Sequence, residues 1–134
     1  MDAVLVITNL PDREAARRLA EKLVEDRLAA CVNILAPCES VYRWQGRIET
    51  TQEVPLLIKT LGAHYDKLEK TIRQCHPYEL PEIIAVPLAA VLPAYLEWLA
   101  AETISLPPAQ GEGPLLNPLP RAVEEANEKG AGFD

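Results

Sequence analysis

Two runs of strand-forming residues meet at Gln45-Gly46 and together predict an unusually long β-hairpin. Residues 40–44 alternate in side-chain character, and residues 47–61 continue as one extended run. Glycine tolerates the positive φ angles of a two-residue hairpin turn, so the chain is expected to reverse direction here. Pro55 lies inside the second run and cannot donate a ladder hydrogen bond, which predicts a bulge or a sheet edge at that point. The polar ends of such a hairpin should project beyond the body of the sheet.

The rest of the chain alternates between the hydrophobic periods of strands and of helices. Short apolar runs predict further strands over residues 3–7, 30–35 and 82–88. Apolar residues at 3.6-residue spacing predict helices over residues 12–27, 64–75 and 94–104, the first with Asp12 as its N-cap. The order β-α-β-β-α-β with a final helix predicts the α+β class. It favours a ferredoxin-like split βαβ sandwich with a long projecting β-hairpin and an extra C-terminal helix.

The composition of the chain changes after residue 105. Prolines and glycines are concentrated in LPPAQGEGPLLNPLP and in the residues that follow it. Such segments do not build a packed core by themselves. We therefore expect one folded domain, residues 1–105, followed by a Pro/Gly-rich C-terminal extension, residues 106–134. Two alternatives remain open for the extension: docking of its leucines on a neighbouring subunit, or disorder.

Acidic residues outnumber basic ones in this chain. Twenty Asp and Glu against thirteen Lys and Arg give a formal net charge of −7. Proteins that bind nucleic acids usually present a basic face, so we expect no nucleic-acid partner, and anionic membranes should not attract the chain. No signal segment or spanning stretch is apparent, and three cysteines form no disulfide framework. These features predict a cytoplasmic protein with free thiols.

The octet HPYELPEI, residues 76–83, holds the densest group of polar side chains in the sequence. Its two prolines hold the preceding residues extended, so the segment should be a stiff connector that fixes the direction of its side chains. A binding cleft would use such a connector, but a plain helix-to-strand link could look the same. A catalytic role for His76, with Glu79 orienting it, lacks a nucleophile nearby. His64, at the start of the second helix, is expected to be a surface or capping residue.

Three further residues of the hairpin stand out. Lys59 follows two apolar residues, so its ammonium group should either reach the sheet edge or pair with a carboxylate such as Glu53 or Glu82. Tyr42 and Trp44 are in phase and should share one face of the hairpin. Exposed aromatic side chains on a projecting arm are typical of protein interfaces.

Five sequence blocks give the chain a family resemblance that covers residues 3–105. The sequence resembles the CutA divalent-cation-tolerance proteins, in their bacterial, cytoplasmic form. The blocks that carry the resemblance, in order and spacing, are LAACVNI (28–34), SVYRWQGRIE (40–49), PLLIKT (55–60), HPYELPEI (76–83) and YLEWL (95–99).

The resemblance implies a function as well as a fold. It implies a ferredoxin-like homotrimer, similar to that of PII signalling proteins, in which the long hairpins cross subunit boundaries. It also implies tolerance of copper and other divalent cations, a cation as the only cofactor, and no enzymatic activity. The resemblance also assigns residues to the family's inter-subunit cleft. The metal-ligand candidates are Cys31, His76, Glu79 and Glu82, and the other residues that line the cleft are Tyr42, Trp44, Lys59 and Tyr78. The alternative is a PII-like regulatory or scaffold protein that binds an anionic small molecule, with Lys59 meeting the anion.

Overall fold

The computed structural model describes residues 1–105, and within them five strands and three α-helices alternate along the chain. The extension predicted for residues 106–134 lies outside the described residues. The elements are β1 (Ala3–Leu10), α1 (Arg13–Glu25), β2 (Cys31–Ile34), β3 (Cys38–Trp44), β4 (Arg47–Leu61), α2 (Tyr65–Cys75), β5 (Ile84–Pro87) and α3 (Pro93–Ala101). The predicted order of elements and the α+β class are confirmed, with a break at Pro37 that divides β2 from β3.

All strands pair antiparallel, in the order β2-β4-β1-β5. The long strand β4 has two parts with different partners. Its inner part lies between β1 and β2, whereas its outer part pairs only with β3, from Cys38 opposite Glu53 to Trp44 opposite Arg47. The outer part and β3 form the projecting hairpin that the sequence predicts.

Of the two alternatives predicted at Pro55, the bulge is wrong, because β1 and β4 pair without interruption through Asn9 opposite Pro55. The sheet edge is present only locally, on the other side of β4, where neither β2 nor β3 pairs with Pro55. On the other side of β4, the backbone N–H of Leu35 donates to the Pro55 carbonyl at 3.0 Å. A strand residue's nitrogen and carbonyl point to the same side, so the proline nitrogen faces the gap where β2 has ended and β3 has not begun. The missing donor therefore costs no ladder bond.

The turn and the first helix cap follow the sequence prediction closely. Gln45 and Gly46 have φ angles of 50° and 81°, and two positive φ angles are the signature of the tight hairpin turn. At the start of α1, the backbone N–H of Ala15 donates to the Asp12 carboxylate at 2.8 Å. This bond satisfies one of the amide groups that have no partner within the first helical turn.

The two faces of the sheet are covered differently. Helices α1 and α2 pack on the face that carries Val4, Val6, Leu56 and Ile58, all completely buried. Helix α3 covers one end of the opposite face, where Leu99 packs against Ala3 and Leu61. His64 also lies under this end of the molecule and is 3% exposed, with a ring nitrogen 3.0 Å from the Thr103 hydroxyl. The expectation of a surface histidine is therefore wrong, whereas His64 does occupy the N-cap position of α2, without a capping hydrogen bond from its side chain.

The remainder of the second face carries apolar side chains that no other described residue covers fully. We call it the open face, and it consists of Leu5, Ile7, Leu57, Ile84 and Val86. Ile84 and Val86, on the edge strand β5, are 43% and 42% exposed. Within residues 1–105, no helix has the length and apolar character needed to cross a membrane.

Candidate functional site: the proline-stiffened connector

His76 ends α2 and ties the connector to β1. Its backbone N–H donates to the Ile72 carbonyl at 2.8 Å, and its Nε2 lies 2.7 Å from the carbonyl oxygen of Asn9. Because a carbonyl only accepts, Nε2 carries the proton, and Nδ1 is left to accept from the backbone N–H of Tyr78 at 3.2 Å. Burial lowers the pKa of His76, against the opposing influence of the Asn9 bond and the Glu53 charge. His76 is therefore a neutral ring with both nitrogens engaged.

Tyr78 connects the octet to strand β4. Its ring lies 4.7 Å from the His76 ring at an angle of 51°, and its hydroxyl interacts with the carboxylate of Glu53. Burial is the main cause that raises the pKa of Tyr78, followed by the Glu53 hydrogen bond and charge. Tyr42, on the same hairpin face as Glu53, acts in the same direction. The phenol thus stays protonated beside the Glu53 carboxylate.

Two carboxylates lie at this end of the sheet, in different environments. Glu53 is 9% exposed, whereas Glu82 is open to solvent and accepts from the Asn9 side-chain amide at 2.9 Å. Although the residue as a whole is exposed, partial burial of its carboxyl group raises the pKa of Glu82, and the negative charge of Glu53 acts in the same direction. We call these residues, together with the two rings, the connector cluster: Asn9, Glu53, His76, Tyr78 and Glu82.

The structure brings together some of the residues that the sequence singles out and separates others. His76, Tyr78 and Glu82 meet in the connector cluster, and Glu79 is exposed beside them. Cys31 lies elsewhere, opposite Lys59 in the register of β2 and β4. Lys59 is four residues along β4 from Pro55, which pairs with Asn9, and four strand residues span about 13 Å.

Lys59 has a different partner from those predicted. Its Nζ donates to the Asn33 side-chain oxygen at 2.7 Å, across the β2–β4 pair, so the predicted pairing with Glu53 or Glu82 is wrong. Alternate residues of β4 share a face, which puts Lys59 and Glu53 on one side of the sheet but six residues apart. Side-chain reach, rather than charge, decides between the two partners.

The aromatic pair Tyr42 and Trp44 lies further out on the hairpin. These residues pair with Glu49 and Arg47, and they are 42% and 36% exposed. The prediction that they share one exposed face is confirmed. Among the described residues, neither ring makes a ring contact with His76 or Tyr78.

The ligand chemistry of one chain does not fit a complete metal site. Within residues 1–105, no three His, Cys, Asp or Glu side chains are grouped so that they could hold an ion. Both His76 nitrogens are already engaged, and Cys31 lies along the sheet from the carboxylates. The set Cys31, His76, Glu79 and Glu82 therefore stays a prediction, one that needs groups from more than one chain.

Asn9 and Glu53 are the members of the connector cluster that sequence reasoning did not assign to a site. In the sequence, Asn9 follows an apolar run and lies two residues before Pro11, so it resembles an ordinary strand terminator. Glu53 has a more useful signal, because it directly precedes the apolar part of β4 and shares a face with Leu57 and Lys59. A largely buried carboxylate needs a polar neighbour, and here that neighbour is the hydroxyl of Tyr78.

Comparisons of the sequence and of the structure with known proteins lead to one family. The family model of the CutA1 divalent ion tolerance protein matches residues 4–102. A divalent-cation tolerance protein CutA from Thermus thermophilus is 47% identical over 103 residues, which are 77% of this chain and 99% of the relative. A chloroplastic CutA from Arabidopsis thaliana is 40% identical over 101 residues, 75% of this chain and 56% of that protein. The crystal structure of CutA from Xylella fastidiosa is similar with a TM-score of 0.75 and 45% identity, covering 78% of this chain and all of the other. This chain therefore belongs to the CutA1 divalent ion tolerance family.

Proposed function

We propose that this member of the family forms a homotrimer and binds copper or another divalent cation in a cleft between its subunits. The observation that carries the proposal is the open face together with the exposed hairpin. Five apolar side chains of the open face and two aromatic side chains of the hairpin are only partly covered within one chain. A contiguous apolar surface of this kind is typical of a face that a second copy covers.

The sheet edges support assembly through the hairpin. Strand β3 has only β4 beside it in the described chain, so the other side of β3 carries backbone groups without strand partners. An unpaired edge invites pairing with another strand, and closed symmetry satisfies such edges without open-ended growth. The strand order β2-β4-β1-β5 is compatible with the ferredoxin-like arrangement, in which PII-like trimers are built.

The cation site in this proposal lies where residues of neighbouring chains meet. One chain contributes the carboxylates Glu79 and Glu82 beside His76, and the thiol of Cys31 would come from another. Carboxylates suit hard divalent ions, whereas a thiolate favours copper or zinc. The proposal assigns the protein a cytoplasmic location and no catalytic activity.

Calorimetric titration with Cu(II) and Zn(II) tests the cation site. The full chain is titrated as wild type and as the variants Cys31→Ser, Glu82→Gln and His76→Ala. Cys38→Ser is the matched control, because Cys38 is an exposed thiol outside the proposed site. We expect weaker binding in Cys31→Ser and Glu82→Gln and unchanged binding in Cys38→Ser. Wild-type affinity in both of the first two variants would show that the site is wrong.

Light scattering tests the trimer separately. Trp44→Asp introduces a charge where we expect a subunit contact, so the average mass and the melting temperature should both fall. Trp98→Asp is the control, since Trp98 is also 41% exposed but lies on α3, away from the hairpin. A Trp44→Asp protein with three times the mass of one chain would contradict the role of the hairpin.

One observation favours a second function, the binding of an anionic small molecule by a PII-like scaffold. Lys59 is half-buried beside the open face and has no carboxylate partner among the described residues. A ligand carboxylate or phosphate could replace Asn33 as the partner of its ammonium group. A thermal-shift screen of nucleotides and organic acids, with Lys59→Ala as the control, distinguishes this function from cation binding.

A further inference from the structure

A cavity of about 320 Å³ lies between the end of α2 and the connector, and Tyr78 is the one member of the connector cluster that lines it. Its walls belong to two rigid parts of the chain, which are the last turns of α2 and the proline-stiffened octet. The residues that line it are Lys70, Arg73, Gln74, Tyr78, Glu79 and Pro81. The volume is at the small end of the range of ligand pockets, so it suits a compact metabolite rather than a nucleotide.

The helical wall of the cavity concentrates positive charge in a chain whose formal net charge is −7. Lys70 and Arg73 are three residues apart on α2, so their side chains lie on one helix face. Neither forms an ion pair with a carboxylate within residues 1–105. A last-turn arginine also complements the helix dipole, but that role does not require Lys70 one turn earlier. Two adjacent cations beside a cavity favour an anionic ligand.

The opposite wall adds one negative charge and an aromatic surface. Glu79 is exposed on the connector, and Tyr78 is held by the His76 ring and by Glu53, so the position of its ring is fixed before any ligand arrives. Gln74 adds a neutral amide on the same helix face as Lys70. The wall charges are therefore two positive and one negative, and a ligand that complements them carries two negative charges and one positive.

We propose that this cavity binds a small amino dicarboxylate, with its carboxylates at Lys70 and Arg73 and its ammonium group at Glu79. The inference goes beyond cation binding and shares only Glu79 with it. Because Tyr78 both lines the cavity and interacts with Glu53, a ligand in the cavity would change the environment of the connector cluster. The ring of Tyr78 is already held in place, which reduces the ordering cost on that side of the site.

The test uses L-glutamate as the probe and the backbone amide signals of the full chain in NMR. Glutarate, which lacks the ammonium group, is the second probe, and both are titrated at constant ionic strength. EDTA is present throughout, so that failure of the cation proposal leaves this test intact. We expect saturable shifts at Arg73 and Tyr78 with glutamate, and about tenfold weaker binding of glutarate, the usual effect of losing one charged hydrogen bond.

Variants assign the individual walls. Lys70→Ala and Arg73→Ala should each weaken glutamate binding about tenfold, because each removes one charged partner. Glu79→Gln should weaken glutamate binding but not glutarate binding. Lys67→Ala is the matched control: it removes an exposed lysine of the same helix that does not line the cavity. The proposal is overturned if glutamate causes no saturable shift, if glutarate binds wild type as tightly, or if Lys67→Ala weakens binding as much as Arg73→Ala.

Discussion

Replacing His76 with alanine measures how far the connector depends on one neutral ring. The variant removes the 2.7 Å bond to the Asn9 carbonyl, the 3.2 Å bond from the Tyr78 amide and the contact with the Tyr78 ring. The structure assigns His76 a structural role that is independent of any cation. The loss of stability should therefore be the same with and without metal.

The expected loss is about 3 kcal/mol per chain. Each intramolecular hydrogen bond contributes about 1 kcal/mol net, and the ring contact about 0.5–1.5 kcal/mol. The Asn9 carbonyl and the Tyr78 amide, which lose their partner, raise the cost. His76 is only 8% exposed, so water reaches these two groups only in part. A loss of this size is a large fraction of the 5–15 kcal/mol that is typical of a domain.

The free energy of unfolding is measured by equilibrium denaturation in guanidinium, with EDTA present. The chain concentration is held fixed, because the stability of an oligomer depends on concentration. Glu79→Ala is the control: this exposed residue of the same connector should change stability by no more than about 0.5 kcal/mol. A loss below about 1 kcal/mol in His76→Ala would refute the reasoning. So would a loss that occurs only in the presence of a divalent cation.

Three further perturbations have defined outcomes. Burial lowers the pKa of both His64 and His76 below the ordinary 6.5, so in acid the unfolded chain binds more protons at these rings than the folded chain does. Stability is therefore lost as the pH falls from 6.5 through the folded-state values. The melting temperatures of wild type and of the His64→Gln/His76→Gln double variant should converge on acidification, and a constant difference between them would contradict this. Ile58→Ala, in the completely buried core, should cost about 2–5 kcal/mol in denaturant unfolding, and a cost below 1 kcal/mol would contradict the packing. Gly46→Ala should lower the free energy of unfolding by about 1 kcal/mol. The cause is the φ of 81° alone, because no atom lies within 4 Å of the added methyl group. Gln45→Gly should raise the free energy of unfolding, because glycine adopts the positive φ of that position without strain.

The elements that the sequence predicts correctly are those fixed by local physics. The Asp12 cap and the turn at Gln45-Gly46 each depend on the conformational preference of a few neighbouring residues. The alternating burial of β1 and β4 follows from their two-residue period. Such features need no knowledge of which distant segments meet.

The errors concern residues whose environment is set by distant partners. His64 looks exposed in sequence, but α3 returns at the end of the domain and brings Thr103 to its ring. Lys59 has candidate carboxylates, but the β2–β4 register presents Asn33 first. Pro55 is tolerated in a central strand because the partner of β4 changes at that position. In each case the sequence shows that the side chain or backbone group needs a partner, but only the pairing of strands and helices shows which partner it has.

The state of His76 bears directly on where a cation can bind. A metal ion needs a nitrogen lone pair, and in the described chain the Nδ1 lone pair is used by the Tyr78 amide while Nε2 holds the proton given to Asn9. Coordination at His76 would therefore break one of these bonds, and the connector would lose part of its anchoring as the ion bound. Glu79 and Glu82 face less competition, since both are exposed and the Asn9 amide engages only Oε1 of Glu82 among the described residues. The negative charge of Glu53, one of the causes that raise the pKa of Glu82, also favours added positive charge there. Cation affinity in this family member should accordingly depend more on the carboxylates of the connector than on its histidine, which holds them in place.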